Sequence, residues 1–380
     1  MKALQLEEYS YWERRMYFEG IDFLIIGCGI VGLSTAIHLK KKNPKAKIVI
    51  IERGVLPSGA STKNAGFACF GSPTEILDDL KSIPEDTVWS TVEKRWRGLQ
   101  SLRKLLGPEL SIEQHGSWDL LMQDEVEKEA SVLEQMDMLN AKMKEITGQN
   151  SVFSQDKSIT QQFGFDHIHT SFHNRLEGQL HTDVMIDQLY RLAINMGIHA
   201  LFGIEIKGLQ VHLYNVGIQS SIGYFKASKV AICTNGFAQE LLPGFDVKPA
   251  RAQVLVTTPI YDLKVHGTFH YDCGYYYFRN VDDRILIGGG RNLDFEGETT
   301  NELTTSDHIQ ASIEELLRNV ILPNESFDIA YRWSGIMGVG KDKQPIVQLI
   351  DDKIAVGVRM GGMGVAIGTL IGQEVAELLS

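Results

Sequence analysis

Three glycines and one glutamate carry the clearest chemical signal in this 380-residue sequence. Gly27, Gly29 and Gly32 form a G-x-G-x-x-G turn between an apolar, β-favouring run and a helical pattern, and Glu52 ends the next apolar run. In a βαβ unit this turn lets backbone amides approach a pyrophosphate, while the carboxylate accepts hydrogen bonds from ribose hydroxyls. The pattern predicts dinucleotide binding, and the charge of Glu52 disfavours the 2′-phosphate of NADP. The alternative is a glycine turn in some other α/β protein.

Two further glycine-rich stretches could approach the same ligand. One, Ser58 to Gly71, closely follows Glu52, and the other, "RMGGMGVAIGTLIGQ" from Arg359 to Gln373, opens an apolar helical run. Glycine costs roughly 0.5–1 kcal/mol relative to alanine inside a regular element, so such a cluster needs a reason. Backbone amides that lie against a flat or anionic ligand give one reason, and close packing of a helix on a strand gives another.

Net charge, cysteine spacing and the lengths of the apolar runs restrict the class of protein. The net charge of −11 argues against nucleic acid and anionic membranes as main partners. The four cysteines form no C-x-x-C pair, so we expect no metal site, no disulfide framework and a reducing, cytoplasmic compartment. No apolar run is long enough for a membrane-spanning helix, and the N-terminal stretch does not resemble a signal peptide.

The order of the predicted elements indicates an α/β fold with two domains. A βαβ unit is followed by a mixed insert, an αβ piece, a strand-rich insert and a final βα piece. Within the inserts, 111–122 predicts two paired strands, and 125–146 and 306–320 predict helices. A second domain, built on a mostly antiparallel sheet, thus interrupts a Rossmann-type domain. The predicted limits are 20–80, 178–240 and 330–380 for the nucleotide-binding domain, 81–177 and 241–329 for the second domain, and 1–19 for an N-terminal extension.

Seven motifs in the right order resemble the D-amino-acid oxidase superfamily, especially its glycine oxidase, sarcosine oxidase and γ-glutamylputrescine oxidase branches. The most specific is "ERGVLPSGASTKNAGF", which looks like the second flavin-binding segment of that family. The resemblance covers roughly residues 20–380. The other six segments are "GQLHTDVMIDQLYRLAINMGI", "VAICTNGF", "VKPARAQVL", "DRILIGGG", "WSGIMGVGKDKQPIV" and "IAVGVRMGGMGVAIGTLIGQEVAELL".

The resemblance implies that FAD is the dinucleotide. Noncovalent attachment is expected, because the flavin-bound cysteine of sarcosine oxidases has no counterpart and Asn64 occupies a position where some relatives carry a flavin-bound histidine. The last glycine cluster would lie against the flavin ring, with the positive end of the following helix near its N1–C2 carbonyl region. The implied FAD contacts are Gly27, Gly29, Ile30, Val31, Gly32, Glu52, Arg53, Ser58, Ala60, Ser61, Asn64, Ala65, Gly66, Phe67, Ile206, Thr234, Asn235, Gly236, Arg359, Gly361, Gly362, Met363, Gly364 and Val365.

The sequence departs from the family at the positions that hold the substrate carboxylate. Where amino-acid oxidases of this group carry an arginine in a "G-x-R-P" segment, this chain has Met337, and Ala366 stands at the sarcosine-type lysine. Either the substrate is an amine with no carboxylate near the reacting carbon, or another cation serves as the anchor. The four alternative anchors are Arg279, Arg291, Arg332 and Arg359, unless each forms an ion pair on the surface or in a sheet.

The substrate pocket is expected to use tyrosines of a predicted strand. Tyr275 and Tyr277 alternate with Tyr276, so the first two share a face and the third lies on the other. Core packing is the alternative for all three, and His270 and Tyr271 are weaker candidates. Near the reacting atoms we therefore expect Tyr275, Tyr277, Arg279, Arg332, Met337 and Met363, the last limiting the space above the flavin ring.

The resemblance implies FAD-dependent oxidation of a small-molecule amine. A carbon–hydrogen bond next to nitrogen would deliver a hydride to flavin N5, the imine would hydrolyse, and oxygen, a quinone or an electron-transfer protein would reoxidise the flavin. One alternative is a flavin-bound protein without amine turnover, which the missing anchors motivate. Another is a relative that oxidises a tRNA side chain, and the acidic balance of the sequence counts against it.

Overall fold

Two eight-stranded β-sheets and one three-stranded sheet organise the chain in this computed structural model, which describes residues 4–380. Short runs rich in β-branched and aromatic residues form most of the strands, as their propensities favour. The strands are β1 (Ile21–Ile26), β2 (Ile48–Glu52), β3 (Phe67–Ala68), β4 (Ile112–Glu113), β5 (Ser117–Met122), β6 (Phe153–Asp156), β7 (Ile168–Asn174), β8 (Gly178–Leu180), β9 (His199–Phe202), β10 (Ile206–Val211), β11 (Val216–Ser220), β12 (Gly223–Ile232), β13 (Lys248–Thr257), β14 (Thr268–Tyr271), β15 (Tyr276–Val281), β16 (Arg284–Gly289), β17 (Ile329–Val339), β18 (Ile346–Asp351) and β19 (Ile354–Val358).

The helices cover the sheets and end where local signals predict. The helix predicted over 125–146 is present and ends at Gly148, which adopts the left-handed conformation common after a helix. The first and eighth helices continue into single π-helical turns, Arg14–Phe18 and Leu317–Ile321. The α-helices are α1 (Tyr11–Glu13), α2 (Ile30–Lys42), α3 (Pro73–Leu80), α4 (Glu85–Leu106), α5 (Val126–Thr147), α6 (Ile159–Phe163), α7 (Thr182–Asn195), α8 (Asp307–Leu316) and α9 (Gly364–Leu379).

The first large sheet has a parallel centre. Its order is β10-β11-β12-β1-β2-β9, and β19, with β18 beside it, pairs with the second half of β12. β1 runs parallel to β2 and β12, and both faces of β1 are buried at Leu24 and Ile25. Continuous apolar strands of this kind occur where helices cover a parallel sheet. Here α2 and α9 pack together on one face, beneath the glycine turn that starts α2.

The second large sheet is antiparallel except at one strand pair. Its order is β17-β13-β16-β15-β14-β5-β7-β6, and only β14 and β5 run parallel among its pairs. One face buries Phe269, Phe278 and Ile287 in a cluster with Ile309 and Ile313 of α8. The opposite face lines a cavity beside the first sheet. The predicted α/β fold class, with a Rossmann-type sheet and a mostly antiparallel one, is confirmed.

Two local expectations differ from the structure. The prediction that 111–122 forms a pair of strands with each other is wrong, because β4 pairs with β8 in the small sheet whereas β5 pairs with β7 and β14. Gly116, at a φ of 89°, redirects the chain between them, and its N–H donates to the Glu177 carbonyl. The domain limits remain a prediction. β17, although within the predicted 330–380 segment, belongs to the second sheet.

Candidate active site

A cavity of about 1170 Å³ lies between the first sheet and the open face of the second. It extends from Glu52, at the end of β2, to Tyr277 on β15 and His270 on β14. Pockets for drug-sized ligands are usually about 300–1,000 Å³. The space is therefore sufficient for a ligand larger than a typical metabolite, or for two ligands side by side.

The glycine turn at one end of the cavity has no room for side chains. Gly27 has a φ of 105°, and a Cβ there would lie 2.7 Å from the Cys233 carbonyl oxygen. A Cβ on Gly32 would lie 1.9 Å from the Gly27 carbonyl oxygen. Gly32 does not line the cavity; it lets α2 start tightly against the turn, so the first amides of α2 point at the cavity. These positions fit the roles that the G-x-G-x-x-G spacing predicts.

Glu52 is fixed at the end of β2 by two backbone amides. The Cys28 N–H donates to its Oε2 at 3.1 Å, and the Gly54 N–H donates to its Oε1 at 3.0 Å. Each carboxylate oxygen keeps a lone pair that can accept from a ribose hydroxyl. Arg53 beside it pairs with Glu240 at 2.9 Å, so its charge is already compensated.

The loop after β2 is braced by Asn64. Its Nδ2 donates to the Ser61 carbonyl at 2.8 Å, while its Oδ1 accepts from the Gly66 N–H at 2.8 Å and from the Thr182 hydroxyl at 2.9 Å. The Ser61 hydroxyl oxygen in turn accepts from the Ile30 N–H at 3.0 Å, which joins the loop to the start of α2. The amide of Asn64 is therefore used within the protein, and the loop presents mainly backbone to the cavity.

The last glycine cluster forms a turn at the cavity and then starts α9. Gly361 and Gly362 have φ of 58° and 84°, a region that L side chains rarely adopt. Met363 precedes α9 without a side-chain cap, so the positive end of this helix faces the cavity. Beside it, Asn235 accepts from the Met360 N–H at 3.1 Å. The Thr234 hydroxyl is buried and has no partner among residues 4–380.

The structure brings most of the predicted cofactor contacts to one cavity. Three do not line it: Gly32, Gly236 and Arg359. Gly236 packs against β17, and the buried Arg359 forms ion pairs with Asp246 and Asp342, so its guanidinium is occupied. Those on the cavity wall are Gly27, Gly29, Ile30, Val31, Glu52, Arg53, Ser58, Ala60, Ser61, Asn64, Ala65, Gly66, Phe67, Ile206, Thr234, Asn235, Gly361, Gly362, Met363, Gly364 and Val365.

The strand β15 and the turn before it separate the three tyrosines as alternation predicts. Tyr275 and Tyr277 line the cavity, whereas Tyr276 is buried and its hydroxyl lies 2.9 Å from that of Ser312 on α8. A Cβ on Gly288 would lie 2.7 Å from the Tyr277 ring, so this glycine makes space for the aromatic side chain. Burial raises the pKa of Tyr277 to about 12, which keeps its hydroxyl a neutral donor.

The other three candidate anchors, Arg279, Arg291 and Arg332, occupy different environments. Arg332 lies outside the cavity, where it pairs with Glu314. Arg279 is 3% exposed and lies behind Gly66, outside the cavity wall, and burial lowers its pKa to about 10. Arg291 does line the cavity. The expectation that Arg279 and Arg332 contact the reacting atoms is not met by their positions. Arg279 shares the face of Tyr277 but lies behind Gly66, and alternation could not say which face of β17 meets the cavity.

Met337 and Met363 both lie on the cavity wall, as expected. The Met337 sulfur comes within 3.2 Å of the position that a Cβ would take on Gly362. The two methionines therefore give this side of the cavity apolar side chains, and neither offers a counter-charge to an anion.

An ion-paired group on the cavity wall gave no signal in the sequence. Glu75, on α3, pairs with Arg95 at 3.2 Å and with Lys343 at 3.3 Å. Burial opposes its ionisation, but the two cations outweigh burial and lower the pKa of Glu75 to about 2. Lys343 also pairs with Asp79 at 2.7 Å. These residues come from segments far apart in the chain, so no spacing rule could have connected them.

His270, a weaker candidate in the sequence, lies on the same wall. It lies opposite Tyr277 in the β14–β15 register, and its ring centre is 5.2 Å from that of Phe67. Burial lowers the pKa of His270 to about 4, so the imidazole is neutral near pH 7. The sequence analysis ranked it only as a weaker candidate, and Tyr271, which it named with it, does not line the cavity.

Cys69, Glu177 and His270 place one potential metal-ligating atom each within 4.8 Å of one another. The Glu177 carboxylate already accepts from the Phe70 and Gly71 amides, at 2.5 and 2.9 Å, and from the Ser117 hydroxyl. Burial raises the pKa of Cys69 well above its usual value, so this side chain is a thiol. Cys69 and Glu177 thus belong to an internal hydrogen-bond network, and the expectation of no metal site remains a prediction.

Within residues 4–380, no helix combines the length and apolar character that a bilayer crossing requires. All four cysteines are unpaired. The N-terminal α1 is short, and Trp12 on it is exposed.

Comparison with known proteins gives the same cofactor. The model of the family described as FAD dependent oxidoreductase (DAO) matches residues 22–378. The bifunctional protein ThiO/ThiG of Trichormus variabilis is 24% identical over 339 residues, which is 86% of this chain and 47% of that protein. The chain thus spans about half the length of this curated relative.

Two solved structures share the fold. L-proline dehydrogenase from P. horikoshii has a TM-score of 0.74 at 19% identity, covering 95% of this chain and 94% of that one. Glycine oxidase from Bacillus cereus has a TM-score of 0.73 at 18% identity, covering 94% of each chain. Because the family match spans nearly the whole sequence, this chain belongs to the FAD dependent oxidoreductase family and is an enzyme whose cofactor is FAD.

Proposed function

We propose that this enzyme binds FAD noncovalently in the cavity and oxidises the carbon–nitrogen bond of an amine or amino-acid-like substrate. The observation that carries the proposal is the composition of one continuous cavity: a glycine-lined wall from the first sheet faces a wall of two tyrosines and a neutral histidine from the second. FAD, when bound, accepts the hydride from the carbon next to nitrogen. The imine product hydrolyses in water.

The residues of the first sheet suit FAD. Gly27 and Gly32 allow the tight turn and the close start of α2, Gly29 leaves backbone exposed where a pyrophosphate approaches, and Glu52 presents its carboxylate for ribose hydroxyls. The buried, unpartnered hydroxyl of Thr234 fits a polar ligand atom. At the other side, the positive end of α9 stabilises negative charge next to Gly362. Each of these observations supports the cofactor assignment residue by residue.

The residues of the second sheet prepare the substrate. Tyr277 offers a neutral hydroxyl as a hydrogen-bond donor, because its pKa is raised. His270, neutral near pH 7, presents a ring lone pair that can accept a hydrogen bond from the substrate nitrogen, and its low pKa keeps the imidazole from becoming a competing cation. Met337 and Met363 exclude water from the apolar side of the cavity. Positioning of the substrate is thus the contribution of the chain itself, and the amine reacts in its neutral form.

An anaerobic titration tests the proposal. The purified protein is expected to show the visible spectrum of an oxidised flavin, and the flavin is expected to be released intact on denaturation. A panel of amines, N-methyl amino acids, D-amino acids and L-amino acids is then added without oxygen, and bleaching by any of them supports amine oxidation. Bleaching by 2-hydroxy acids alone, which offer a carbon–oxygen bond, would contradict it. Bleaching by none would favour the flavin-bound protein without amine turnover.

The proposal also covers how the reduced flavin is reoxidised and in which cell compartment the protein works. Oxygen, a quinone and an electron-transfer protein are compared by following flavin reoxidation after reduction by the substrate. The reducing cytoplasm is proposed because the four cysteines are unpaired. A tRNA substrate is disfavoured by the net charge of −11.

A further inference from the structure

We infer that Arg291 holds a carboxylate of the substrate, in place of the arginine that β17 lacks at Met337. The inference rests on the proposed amine oxidation and adds a substrate class to it: amines that carry a carboxylate. The missing anchors then mean that the anchor has moved to another strand, and not that the substrate is uncharged.

The other candidate arginines are occupied or lie elsewhere. Arg359 forms two ion pairs, at 2.8 Å with Asp246 and at 2.7 Å with Asp342. Arg332 pairs with Glu314 outside the cavity. Arg279, whose Nε and Nη1 also have no partner among residues 4–380, lies behind Gly66 and not on the cavity wall. A substrate in the cavity can therefore reach none of these guanidinium groups directly.

Arg291 lies directly after β16, where Gly289 and Gly290 turn the chain at φ of 131° and 73°. Its guanidinium carbon lies 4.8 Å from the centre of the Phe295 ring, so the aromatic ring supports one face of the group. Stacking of this kind leaves the N–H donors at the edge of the guanidinium free. Phe295 thus orients Arg291 without using its hydrogen bonds.

No carboxylate of the described chain neutralises Arg291. Its Nε is buried and has no hydrogen-bond partner among residues 4–380, and no ion pair joins the side chain to an acid in that range. The acid that influences it, Glu298, is paired with Arg251 at 2.7 Å. A cation with free donors on a cavity wall fits a carboxylate, which a guanidinium binds through two parallel hydrogen bonds.

The neighbours of Arg291 connect it to the proposed substrate wall. The Gly290 N–H donates to the Tyr275 carbonyl at 3.0 Å, so the turn that carries Arg291 is tied to the start of the tyrosine strand. Tyr275 and Tyr277 follow along the wall, and His270 lies opposite Tyr277 on the next strand. The wall therefore presents a cation beside Tyr275 and a neutral hydrogen-bond acceptor beside Tyr277, so it offers partners for both a carboxylate and an amine.

Three lysines also line the cavity, and each has a different place. Lys343 is paired with Glu75 and Asp79. Lys341 lies at the exposed rim, and Lys63 belongs to the loop braced by Asn64, packed over Gly335. Lys63 is thus expected next to the cofactor, and it serves as the competing anchor in the test.

The test measures carboxylate binding to the oxidised holoenzyme, so it does not depend on knowing the substrate. Benzoate and its neutral counterpart benzamide are titrated, and binding is followed by calorimetry and by the change in flavin absorbance. We expect benzoate to bind and benzamide not to bind. Arg291→Gln should weaken benzoate binding about tenfold or more, and Arg291→Lys should restore part of it. Arg318→Gln, an exposed arginine on the π turn after α8, is the matched control and should bind benzoate as the wild type does.

The possible results separate the two proposals. Unchanged benzoate binding in Arg291→Gln, loss of binding in Lys63→Gln alone, or no benzoate binding by the wild type would each overturn the inference. FAD content and the melting temperature of each variant show whether it is folded. If amines reduce the wild-type flavin while Arg291→Gln binds benzoate normally, only the anchor is wrong. If no amine reduces the flavin of the wild type, the proposed function fails.

Discussion

The buried side chain of Glu177 changes the stability of the folded protein by an amount that depends on pH. Glu177 is fully buried, and burial raises its pKa to about 7 even though two amides and a hydroxyl donate to it. Its ordinary value is 4.5. The folded protein therefore keeps a proton on this group between about pH 4.5 and 7, where the unfolded chain has lost it. The stabilisation from that proton is fully present below pH 4.5 and is lost as the pH rises through 7.

We predict that Glu177→Gln stabilises the protein at alkaline pH and has little effect at pH 5. Glutamine keeps the acceptor for the Phe70 and Gly71 amides and can donate to the Ser117 hydroxyl oxygen, but it carries no charge to desolvate. The gain in the free energy of unfolding should approach about 3 kcal/mol near pH 8.5, the equivalent of the pKa shift. Urea unfolding at pH 5, 6, 7 and 8.5 measures it.

A matched control for Glu177→Gln is Glu134→Gln, at an exposed glutamate in the middle of α5. This substitution removes a charge from the surface and should change the free energy of unfolding little at any of the four pH values. Parallel curves for wild type and Glu177→Gln would show that Glu177 ionises normally in the folded protein. The raised pKa would then be wrong, and with it the assignment of Glu177 to a network of neutral groups.

At the scale of elements, the glycines of the C-terminal helix divide into two uses. Gly361 and Gly362 form the positive-φ turn at the cavity. Farther along α9, a Cβ on Gly368 would lie 2.7 Å from the Ile30 side chain, and one on Gly372 would lie 2.5 Å from the Ser34 Cβ. The Ser34 hydroxyl donates to the Thr369 carbonyl at 2.7 Å across the same contact. The glycine cluster therefore has both predicted roles: Gly361 and Gly362 allow a ligand to approach, and Gly368 and Gly372 allow the helices to pack closely.

We predict that Gly372→Ala separates α2 from α9 and weakens FAD binding. The added methyl group meets Ser34 and the Val31 carbonyl, so the helices must shift, at a cost of about 1–3 kcal/mol in the free energy of unfolding. Both helices begin at the cavity, so their first amides move with them. Denaturant unfolding and an FAD titration of the apoprotein measure the two effects.

Glu377→Ala, on the exposed face of α9, tests whether any alanine on this helix has the same effect. It should leave both stability and FAD affinity close to those of the wild type. A Gly372→Ala variant that loses stability but binds FAD as tightly as the wild type would show that α2 and α9 can shift without moving their N-termini. The connection between helix packing and the cofactor site would then be incorrect.

How much the sequence predicts depends on whether a feature is local. The turn at Gly27 and the helix from Ile30 follow from steric rules within one short segment, and both are present. Strand alternation separated Tyr276 from its neighbours for the same reason. Alternation could not say which face of a strand meets the cavity, so Arg332 was placed near the substrate although it pairs with Glu314 outside.

Features that join distant segments could not be predicted from the sequence. The pairing of Glu75 with Arg95 and Lys343 brings together three segments, one of them more than two hundred residues from the others. His270 gains its altered pKa from burial, which the sequence does not specify. The separation of β4 from β5 into different sheets depends on β8, a strand from a later segment of the chain.

At the scale of the whole molecule, the cavity joins the two large sheets. Its walls include the ends of strands from the first sheet and one face of the second, so a ligand that fills it contacts both. One hydrophobic cluster also joins the two sheets, because Ile25 of β1 shares it with Leu121 of β5 and Phe172 of β7. FAD should therefore stabilise the two halves of the molecule together, not only the glycine turn.

We predict that FAD raises the melting temperature of the deflavinated protein, which unfolds in one transition with or without the cofactor because a shared core joins the two sheets. A ligand that binds only the folded state adds about 2.7 kcal/mol when it is present at 100 times its dissociation constant. Calorimetry with and without FAD measures the shift, which should be a few degrees for a chain of this length. NADP at the same concentration is the control and should give no shift, because its 2′-phosphate meets the carboxylate of Glu52. Two transitions of which FAD moves only one would mean that the cofactor is held by the first sheet alone, and the second sheet would then contribute to the substrate without stabilising the bound flavin.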